Sequence, residues 1–368
     1  MPLEQYHYAG QLPQLDQVVI LGGGRWARVI AGVVCDLIPP TTRLTLCSPR
    51  GADSLNNWVS EQGLCNRISV TNQRPEVFSS SSTAVIVANA ARDHVTAGRW
   101  AIERGAAVLV EKPLTTSLQD ARDLAAYADQ CGGLLVAGHV LRFARYLTNF
   151  SSMLPPWEEI SSIFFEWIDS AGEQRYGEAK KYDATVPVFM DCLPHVVSVL
   201  QTVFGILPEL HRIHAVEAGG SRVTVILLLG ERKCHVTMQR NGKQRVRCLT
   251  VMTRNEKATL DFSTEPGVIR IGEVQVVGDN FWDQKPRPLA SMLTAFLSAA
   301  QGEGIDPRLN LNVALTSCAI TDAIMLDYRD QIISWLACQA HSPEKYGSAF
   351  KYASDEFYQN NLIRVSKK

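Results

Sequence analysis

The sequence of 368 residues has no long apolar run, and no stretch approaches the roughly 18 consecutive apolar residues that a membrane helix needs. It also lacks an excess of charge of one sign, because 36 Lys and Arg residues and 37 Asp and Glu residues leave a net charge of -1. Without a basic field, we expect neither a nucleic-acid partner nor attraction to an anionic membrane. The first 14 residues carry no basic flank and no apolar core, so we expect no signal peptide.

The nine cysteines include no Cys-x-x-Cys pair, and their number is odd. Their wide spacing argues against a disulfide framework and against a structural zinc site, so we predict no bound metal. Free thiols are typical of a reducing compartment and favour a cytoplasmic protein. We expect most cysteines, and tryptophans such as Trp167, to be buried apolar side chains.

The first 140 residues alternate short apolar strands with helices. The predicted strands are residues 18–21, 44–47, 84–88, 107–110 and 134–137. The predicted helices between them are residues 25–37, 54–62, 93–104 and 118–130, the last capped by Thr116 or Ser117. Because such alternation requires right-handed crossovers, it predicts a doubly wound parallel sheet.

The pattern changes near residue 150, where strand-like runs follow one another with short turns. These runs are residues 160–168, 222–229, 233–239, 245–252 and 258–262. Closely spaced strands predict a mainly antiparallel sheet, with helices at 188–202, 289–301 and 311–328. We therefore predict an α/β chain with one domain in residues 1–140 and a second α/β domain in residues 141–368.

A glycine-rich turn follows the first predicted strand and reads Gly22-Gly23-Gly24-Arg25-Trp26-Ala27, which matches G-x-G-x-x-G/A. Gly22 permits a tight turn, Gly24 lets the backbone approach a pyrophosphate, and Ala27 keeps the helix close to the sheet. The helix N-terminus adds amide donors and partial positive charge. A ligand-free turn is the alternative, but the position in the first βα unit favours a dinucleotide site.

The end of the second strand indicates which dinucleotide is bound. NAD enzymes usually carry an acid there, whereas this strand ends in Cys47-Ser48-Pro49-Arg50, with no acid before Asp53. The Ser48 hydroxyl and the Arg50 guanidinium suit a 2′-phosphate. We therefore predict NADP(H) as the preferred cofactor, with NAD(H) possible; the alternative is that Arg50 is a solvated loop residue.

Candidate chemical groups lie in two further segments. Glu111-Lys112-Pro113 follows a buried strand at its carboxyl end, where open α/β sheets bind ligands, although a surface ion pair is the alternative. Asp191 and His195 are four residues apart, so on a helix they share a face where the carboxylate could orient the imidazole. A plain contact on the helix surface is the alternative for that pair.

These motifs and their order resemble the glucose–fructose oxidoreductase, inositol dehydrogenase and rhizopine-catabolism (Gfo/Idh/MocA) family of NAD(P)-dependent oxidoreductases. The matching segments are the glycine turn, Asn89-Ala90 with His94, Glu111-Lys112-Pro113, Gly138-His139-Val140-Leu141-Arg142-Phe143 and Asp191-Cys192-Leu193-Pro194-His195. The resemblance implies a Rossmann domain followed by a substrate-binding α/β domain. In the family the open sheet of that second domain often forms subunit contacts, so the resemblance also implies a homo-oligomer.

The resemblance also implies roles for individual residues. Lys112 would lie near the nicotinamide and donate a hydrogen bond to the substrate oxygen, while His195 would give or accept the proton that hydride transfer requires. Asp191, on the second domain with His195, would orient the imidazole. The implied cofactor contacts include Asn89, His94, Glu111, Lys112 and Pro113, and the expected substrate contacts are Arg142, Asp191 and His195. Tyr182 joins them because it lies just ahead of the predicted helix that carries Asp191.

Several departures from the family pattern favour a less polar pocket. Val186-Pro187-Val188-Phe189-Met190 precedes Asp191, Pro194 lies inside the motif, and Ser198 replaces an acid common in the family. We predict hydride transfer at a carbonyl or carbinol carbon of a small molecule, either a sugar derivative or a biosynthetic intermediate. The alternatives are reduction of an imine or C=C bond, or a non-catalytic NADP(H)-sensing regulator. For His139, substrate contact and packing are both open.

Overall fold

The computed structural model describes residues 15–76, 82–175, 178–179, 186–284 and 286–339, and the statements below concern these residues. They form two compact units that interleave along the chain. The first unit contains residues 15–111, 122–138 and 289–310, and the second contains residues 112–121, 139–288 and 311–339. The predicted domain division at residue 140 stays a prediction.

The first unit is built on a six-stranded parallel sheet. Its strands are β1 (Gln17–Leu21), β2 (Arg43–Cys47), β3 (Ile68–Thr71), β4 (Thr83–Val87), β5 (Ala107–Glu111) and β6 (Leu135–Gly138), in the order β3-β2-β1-β4-β5-β6. Strands β1, β4, β5 and β6 are buried throughout, as expected for a sheet covered on both faces. The predicted doubly wound sheet is confirmed. Sequence reasoning missed β3, in which only Ile68 is fully buried.

The eight α-helices of the described residues largely follow the sequence pattern. They are α1 (Arg25–Leu37), α2 (Ala52–Glu61), α3 (His94–Ile102), α4 (Leu118–Gln130), α5 (Arg145–Met153), α6 (Val188–Phe204), α7 (Pro288–Ala300) and α8 (Asn312–Gln339). The Ser117 hydroxyl accepts a hydrogen bond from the Asp120 amide at 3.1 Å, so it is the N-terminal cap predicted for α4. Helix α5 was not predicted, and α8 continues beyond the predicted end at residue 328.

The second unit is built on an eight-stranded sheet. Its strands are β7 (Ile160–Ser170), β10 (Glu209–Glu217), β11 (Arg222–Leu229), β12 (Arg232–Gly242), β13 (Val246–Thr253), β14 (Lys257–Asp261), β15 (Val268–Ile271) and β16 (Val274–Val277). Their order is β10-β11-β12-β7-β13-β14-β15-β16, and every neighbouring pair is antiparallel except β7 with β12. The short strands β8 (Gln174–Arg175) and β9 (Glu178–Ala179) form a separate hairpin. The predicted mainly antiparallel sheet is confirmed.

One face of this sheet forms the core of the second unit with α5, α6 and α8. Along β7, Ile163, Phe165 and Trp167 are buried on that face, whereas Phe164 on the other face is 41% exposed. The alternation is typical of an antiparallel sheet with one solvated side. Self-association through the solvated side stays a prediction.

Within the described residues, no single helix has the length and apolar composition to cross a membrane. One bent pair, Pro307–Met325 with Asp327–Trp335, meets the requirement on length and composition alone.

Candidate active site

The predicted cofactor residues follow strands of the parallel sheet at one edge. The glycine turn follows β1, Ser48 and Arg50 follow β2, Asn89 follows β4, and Glu111 ends β5. Because the strands are parallel, their carboxyl ends meet at the same edge of the sheet. This edge, on both sides of β1, is where a doubly wound sheet binds a dinucleotide.

The glycine turn fits a diphosphate. Gly22 has φ +155°, and a Cβ there would lie 2.5 Å from the carbonyl oxygen of Ala88, so a side chain is excluded. At Gly24 a Cβ would meet no atom within 4 Å, which leaves open space beside the backbone. Gly24 is the N-terminal cap of α1 and offers no side-chain oxygen, and the first turn of α1 carries no acid. Its amides are therefore suited to an anionic group.

Ser48 and Arg50 differ in their surroundings. The buried Ser48 hydroxyl accepts a hydrogen bond from the Gly51 amide at 3.1 Å, so it stabilises the turn that precedes α2. Arg50 is exposed at the same turn. The guanidinium is therefore the accessible group for a 2′-phosphate.

Asn89 and His94 form a small polar contact after β4. Nε2 of the buried His94 donates to the carbonyl oxygen of Asn89 at 3.2 Å, so His94 holds the loop in place. The side-chain Oδ1 of Asn89 is buried, and no hydrogen-bond donor reaches it from the described residues. This acceptor fits an amide or hydroxyl donor of a dinucleotide.

Lys112 and Asp191 form an ion pair within the second unit. Lys112 directly follows β5, and its peptide bond to Pro113 is cis, whereas Asp191 lies in the first turn of α6. Lys112 Nζ donates to Asp191 Oδ1 at 2.7 Å and to the Asp191 carbonyl oxygen at 3.3 Å. The two side chains are 21% and 30% exposed, so a ligand can reach them.

A second cation contacts the same carboxylate. Nη2 of Arg240 lies 3.7 Å from Asp191 Oδ2, and Nη1 donates to the Val186 carbonyl oxygen at 2.7 Å. No hydrogen bond joins Asp191 to His195 in the described part of the chain, where the sequence suggested one. The reason is electrostatic, because a carboxylate gains more from an ammonium and a guanidinium than from a neutral imidazole.

His195 lies one helical turn after Asp191 and is oriented by stacking. Its ring is parallel to the Trp167 indole within 10°, with 4.7 Å between ring centroids. The Arg247 guanidinium also contacts Trp167, at 3.8 Å from the ring centroid, and pairs with the buried carboxylate of Asp169. We refer to Lys112, Asp191 and His195 as the lysine cluster.

The histidines near the lysine cluster are neutral at pH 7. Burial lowers the pKa of His195 well below its usual range, and the Lys112 ammonium lowers it further, against the opposing effect of Asp191. Burial, reinforced by Arg142 and Lys112, lowers the pKa of His139 to about 3. The positive charge available for donating a proton is therefore that of Lys112, whereas His195 is a neutral imidazole whose lowered pKa makes it a weak base.

The other predicted site residues are less directly placed. Arg142 is buried in the short 3-10 helix Val140–Phe143, close enough to His139 to affect its charge. The Ser198 hydroxyl donates to the His195 carbonyl oxygen at 2.7 Å within α6. Tyr182 lies outside the described residues.

Sequence reasoning missed the charged residues that surround Asp191 and Trp167. Asp169, Arg240 and Arg247 occupy inward positions of β7, β12 and β13, in phase with apolar core residues. Because side chains alternate along a strand, a charged residue at an inward position must find a buried partner. The inward position of these charged residues is the sequence signal that could have identified them. Trp167 also stacks on His195, so it has a role beyond the core packing expected for it.

Comparison with known proteins identifies one family in the first part of the chain. Residues 17–139 match the model GFO_IDH_MocA, described as an oxidoreductase family with an NAD-binding Rossmann fold. A search of curated proteins finds no match.

Similar solved structures share the fold across both units. UDP-N-acetylglucosamine 3-dehydrogenase GnnA from Acidithiobacillus ferrooxidans is 18% identical, with a TM-score of 0.65 and coverage of 84% of this chain and 96% of that chain. KijD10, a 3-ketoreductase from Actinomadura kijaniata in complex with TDP-benzene and NADP, is 18% identical, with a TM-score of 0.66 and the same coverage. The dehydrogenase MviM from Clostridium difficile is 13% identical, with a TM-score of 0.67 and coverage of 85% and 99%.

The identities in these structural comparisons are low, so the likeness shows the fold alone, and the family rests on the sequence match. That match confirms the predicted family, its Rossmann fold and the class of enzyme. Residues 17–139, about a third of the chain, thus match the NAD-binding Rossmann domain of the Gfo/Idh/MocA oxidoreductase family.

Proposed function

We propose that this protein uses NADP(H) to transfer a hydride to or from a carbonyl or carbinol carbon of a sugar derivative. The observation that carries the proposal is the 2.7 Å contact between Lys112 Nζ and Asp191 Oδ1, part-exposed at the end of the strand where a Rossmann sheet binds ligands. A carboxylate at this distance favours the ammonium form of the lysine. A charged amine reachable by a ligand is suited to donate to a carbonyl oxygen.

The division of proton transfer follows from the charges in the lysine cluster. In reduction, a Lys112 N–H bond breaks and an O–H bond forms on the substrate oxygen, which balances the hydride added to carbon. Oxidation is the reverse of this step, so the hydroxyl proton passes to the neutral amine of Lys112, and His195 stays neutral at pH 7. Nicotinamide, when bound, supplies or accepts the hydride. Asp191 holds the amine, and stacking on Trp167 fixes the imidazole plane.

The cofactor preference rests on the turn after β2. Arg50 is exposed there, and no acid occupies the position that would accept a hydrogen bond from a ribose hydroxyl. A guanidinium recognises phosphate through paired N–H donors. This chemistry supports NADP(H) over NAD(H), and the NADP in the KijD10 complex is consistent with it.

The substrate class rests on the similar structures. One is a 3-dehydrogenase of a UDP-linked sugar, and the other is a 3-ketoreductase crystallised with a TDP-linked molecule. We therefore propose a nucleotide-linked sugar, oxidised or reduced at a ring carbon, as the substrate class to test first. The Lys112–Asp191 pair argues against a sensing regulator, because a sensor does not need a held proton donor.

The test is a spectrophotometric assay of NADPH oxidation with a panel of nucleotide-linked keto sugars, free ketones and cyclic imines. We expect turnover with the keto sugars, and Lys112→Met should lower kcat/KM by about 10²- to 10⁴-fold with NADPH binding retained. Lys233→Met, at an exposed position on β12, is the matched control and should leave kcat/KM unchanged.

The outcomes separate the candidate reactions. Turnover with imines alone would replace the carbonyl proposal with imine reduction. No turnover across the panel would contradict the proposed activity, and full activity of Lys112→Met would remove Lys112 from the chemistry.

A further inference from the structure

A buried ion pair lies beside Trp167 on the inward face of the second sheet. The side chains of Arg247 on β13 and Asp169 on β7 are 1% and 8% exposed, and the two groups are in contact. Desolvation offsets most of the attraction within such a pair, and apolar residues of similar volume often serve stability as well. Stability therefore does not explain why two charges occupy core positions here.

The hydrogen bonds of Arg247 fix the orientation of its guanidinium. Nη1 donates to the carbonyl oxygens of Ile168 and Val246 at 2.6 and 2.7 Å, while Nη2 donates to Asp169. Because the guanidinium is planar and rigid, acceptors for both terminal nitrogens set the direction of the whole group. An ammonium in the same place would keep the charge but would have no plane to orient.

This oriented guanidinium lies against the Trp167 indole. Trp167 and Arg247 stand directly opposite each other in the pairing of β7 with β13, and Cζ of Arg247 is 3.8 Å from the indole centroid. Phe165 and Phe262 meet the same indole edge-on, at interplanar angles of 76° and 66°. Trp167 is thus held by a cation on its ring and by aromatic neighbours.

The indole passes its fixed orientation to His195. The two rings are parallel within 10° at 4.7 Å, and no hydrogen bond from a described residue reaches a ring nitrogen of His195. A second stack of this kind, Phe164 with His235, lies on the solvated face, where the rings are 5.3 Å apart and tilted by 24°. Phe164 is 41% exposed, whereas Trp167 is 7% exposed and braced by the ion pair.

The charge of Arg247 also suits the partner on the indole. Burial is the largest cause of the lowered pKa of His195, followed by Lys112, and Arg247 acts in the same direction against the effect of Asp191. The stacked ring is therefore a neutral imidazole. It carries one N–H donor and one lone pair, which match a hydroxyl group.

We propose that Arg247 and Asp169 are positioning residues, which fix Trp167 and through it the direction in which His195 meets a hydroxyl of the substrate. The inference rests on the proposed function, since a sugar supplies that hydroxyl. The reason for a buried charge pair is then the precision of the contact, because the direction of both imidazole nitrogens follows from the ring plane.

The positioning is tested first without turnover, by NMR of histidine labelled at Cε1, with the His195 signal assigned through His195→Gln. The indole ring current should shift the His195 signal upfield, and Trp167→Leu should abolish that shift, whereas Trp167→Phe should retain part of it. Arg247→Lys keeps a cation on Asp169 and removes the plane, so the His195 signal should move toward its position in Trp167→Leu. The His235 signal, from the other stack, should stay unchanged in every variant. An unchanged His195 signal in Arg247→Lys would overturn the proposal.

The catalytic consequence is tested by a double-mutant cycle. Arg247→Lys should lower kcat/KM about tenfold with NADPH binding retained, because a misdirected contact weakens transition-state binding. In the His195→Gln background the same substitution should have no further effect. Arg245→Lys, two residues earlier and paired with Glu173 at 2.7 Å, is the matched control and should keep full activity.

The outcomes distinguish positioning from general support of the fold. Equal losses from Arg247→Lys in both backgrounds would show that Arg247 does not act through His195, and an unchanged kcat/KM would also refute the proposal. An unchanged protein that turns over no substrate would instead refute the proposed function, and the NMR result on the His195 ring would stand separately.

Discussion

The glycine turn of the first unit and the lysine cluster of the second differ in the part of the chain that they present to a ligand. The turn presents backbone to a ligand, because a side chain is excluded at Gly22 and the space beside Gly24 is open. The lysine cluster uses side chains, and Lys112 and Asp191 meet across 79 residues of sequence. A backbone site is therefore specified locally, whereas a side-chain site depends on tertiary contacts.

The largest expected effect comes from a variant that breaks the Lys112–Asp191 ion pair of the lysine cluster. Asp191→Asn removes the negative charge 2.7 Å from Lys112 Nζ and leaves two cations without their shared partner. We expect kcat to fall about 100-fold, because the amine loses both its position and the charge that favours its protonated form. Steady-state kinetics with NADPH and the active substrate measures this loss.

The control for that variant is Asp283→Asn, since the Asp283 side chain is 99% exposed. It should leave kcat unchanged. The double variant Lys112→Met/Asp191→Asn should be no worse than Lys112→Met alone, because the two residues act as one unit. Additive losses would contradict a role of Asp191 through Lys112.

The two sites also differ in how far the sequence predicted them. The spacing of the glycines after an apolar strand predicted the glycine turn, because the residues that form this turn are adjacent in sequence. Lys112, Asp191 and His195 were predicted individually, but their partners were not. Asp191 contacts Lys112 and Arg240 instead of His195, because the contact depends on which strand brings a cation to the start of α6.

The features that sequence reasoning missed, a strand and a buried ion pair, were missed for the same physical reason. Strand β3 lies at an edge of its sheet and buries little apolar surface, so its pattern is weak. Arg247 looks like a surface residue of a strand until its inward phase is considered, and its partners Asp169 and Trp167 lie on the neighbouring strand β7. Local pattern thus predicts elements better than it predicts the pairing of side chains between them.

A matched pair of glycine variants separates the structural role of the glycine turn from its role in cofactor binding. Gly22→Ala places a Cβ 2.5 Å from the Ala88 carbonyl oxygen at φ +155°, so we expect a loss of roughly 1–3 kcal/mol in unfolding free energy. Gly24→Ala meets no protein atom within 4 Å, so stability should be retained while NADPH binding weakens. Thermal unfolding and NADPH fluorescence titration distinguish the two. Equal affinity of Gly24→Ala and the unchanged protein would contradict a diphosphate at this turn.

Acid stability tests the burial of a titratable group next to the lysine cluster. The folded-state pKa of His139 is about 3, below the ordinary value near 6.5, so its stabilising contribution is complete above pH 6.5 and declines as pH falls toward 3. Between pH 7 and pH 5 this group alone should cost roughly 2 kcal/mol of unfolding free energy. Denaturant unfolding at the two pH values should show a drop that is smaller by that amount in His139→Gln. An equal drop in both proteins would mean that folding does not lower the pKa of His139.

The smallest expected effect concerns Arg50, the side chain that we propose recognises the 2′-phosphate of NADP(H). Arg50→Ala removes an exposed guanidinium from the turn after β2, where Ser48 already stabilises the turn through the Gly51 amide. The fold should be unaffected, and the Kd for NADPH should rise about tenfold, roughly 1.4 kcal/mol, because a charge-assisted contact to the 2′-phosphate is lost. The Kd for NADH should not change, since NADH has no such phosphate. Arg122→Ala, exposed on α4, is the control for removing a surface cation. If Arg50→Ala weakens the binding of NADPH and NADH equally, the guanidinium does not recognise the 2′-phosphate. The cofactor preference would then depend on the glycine turn.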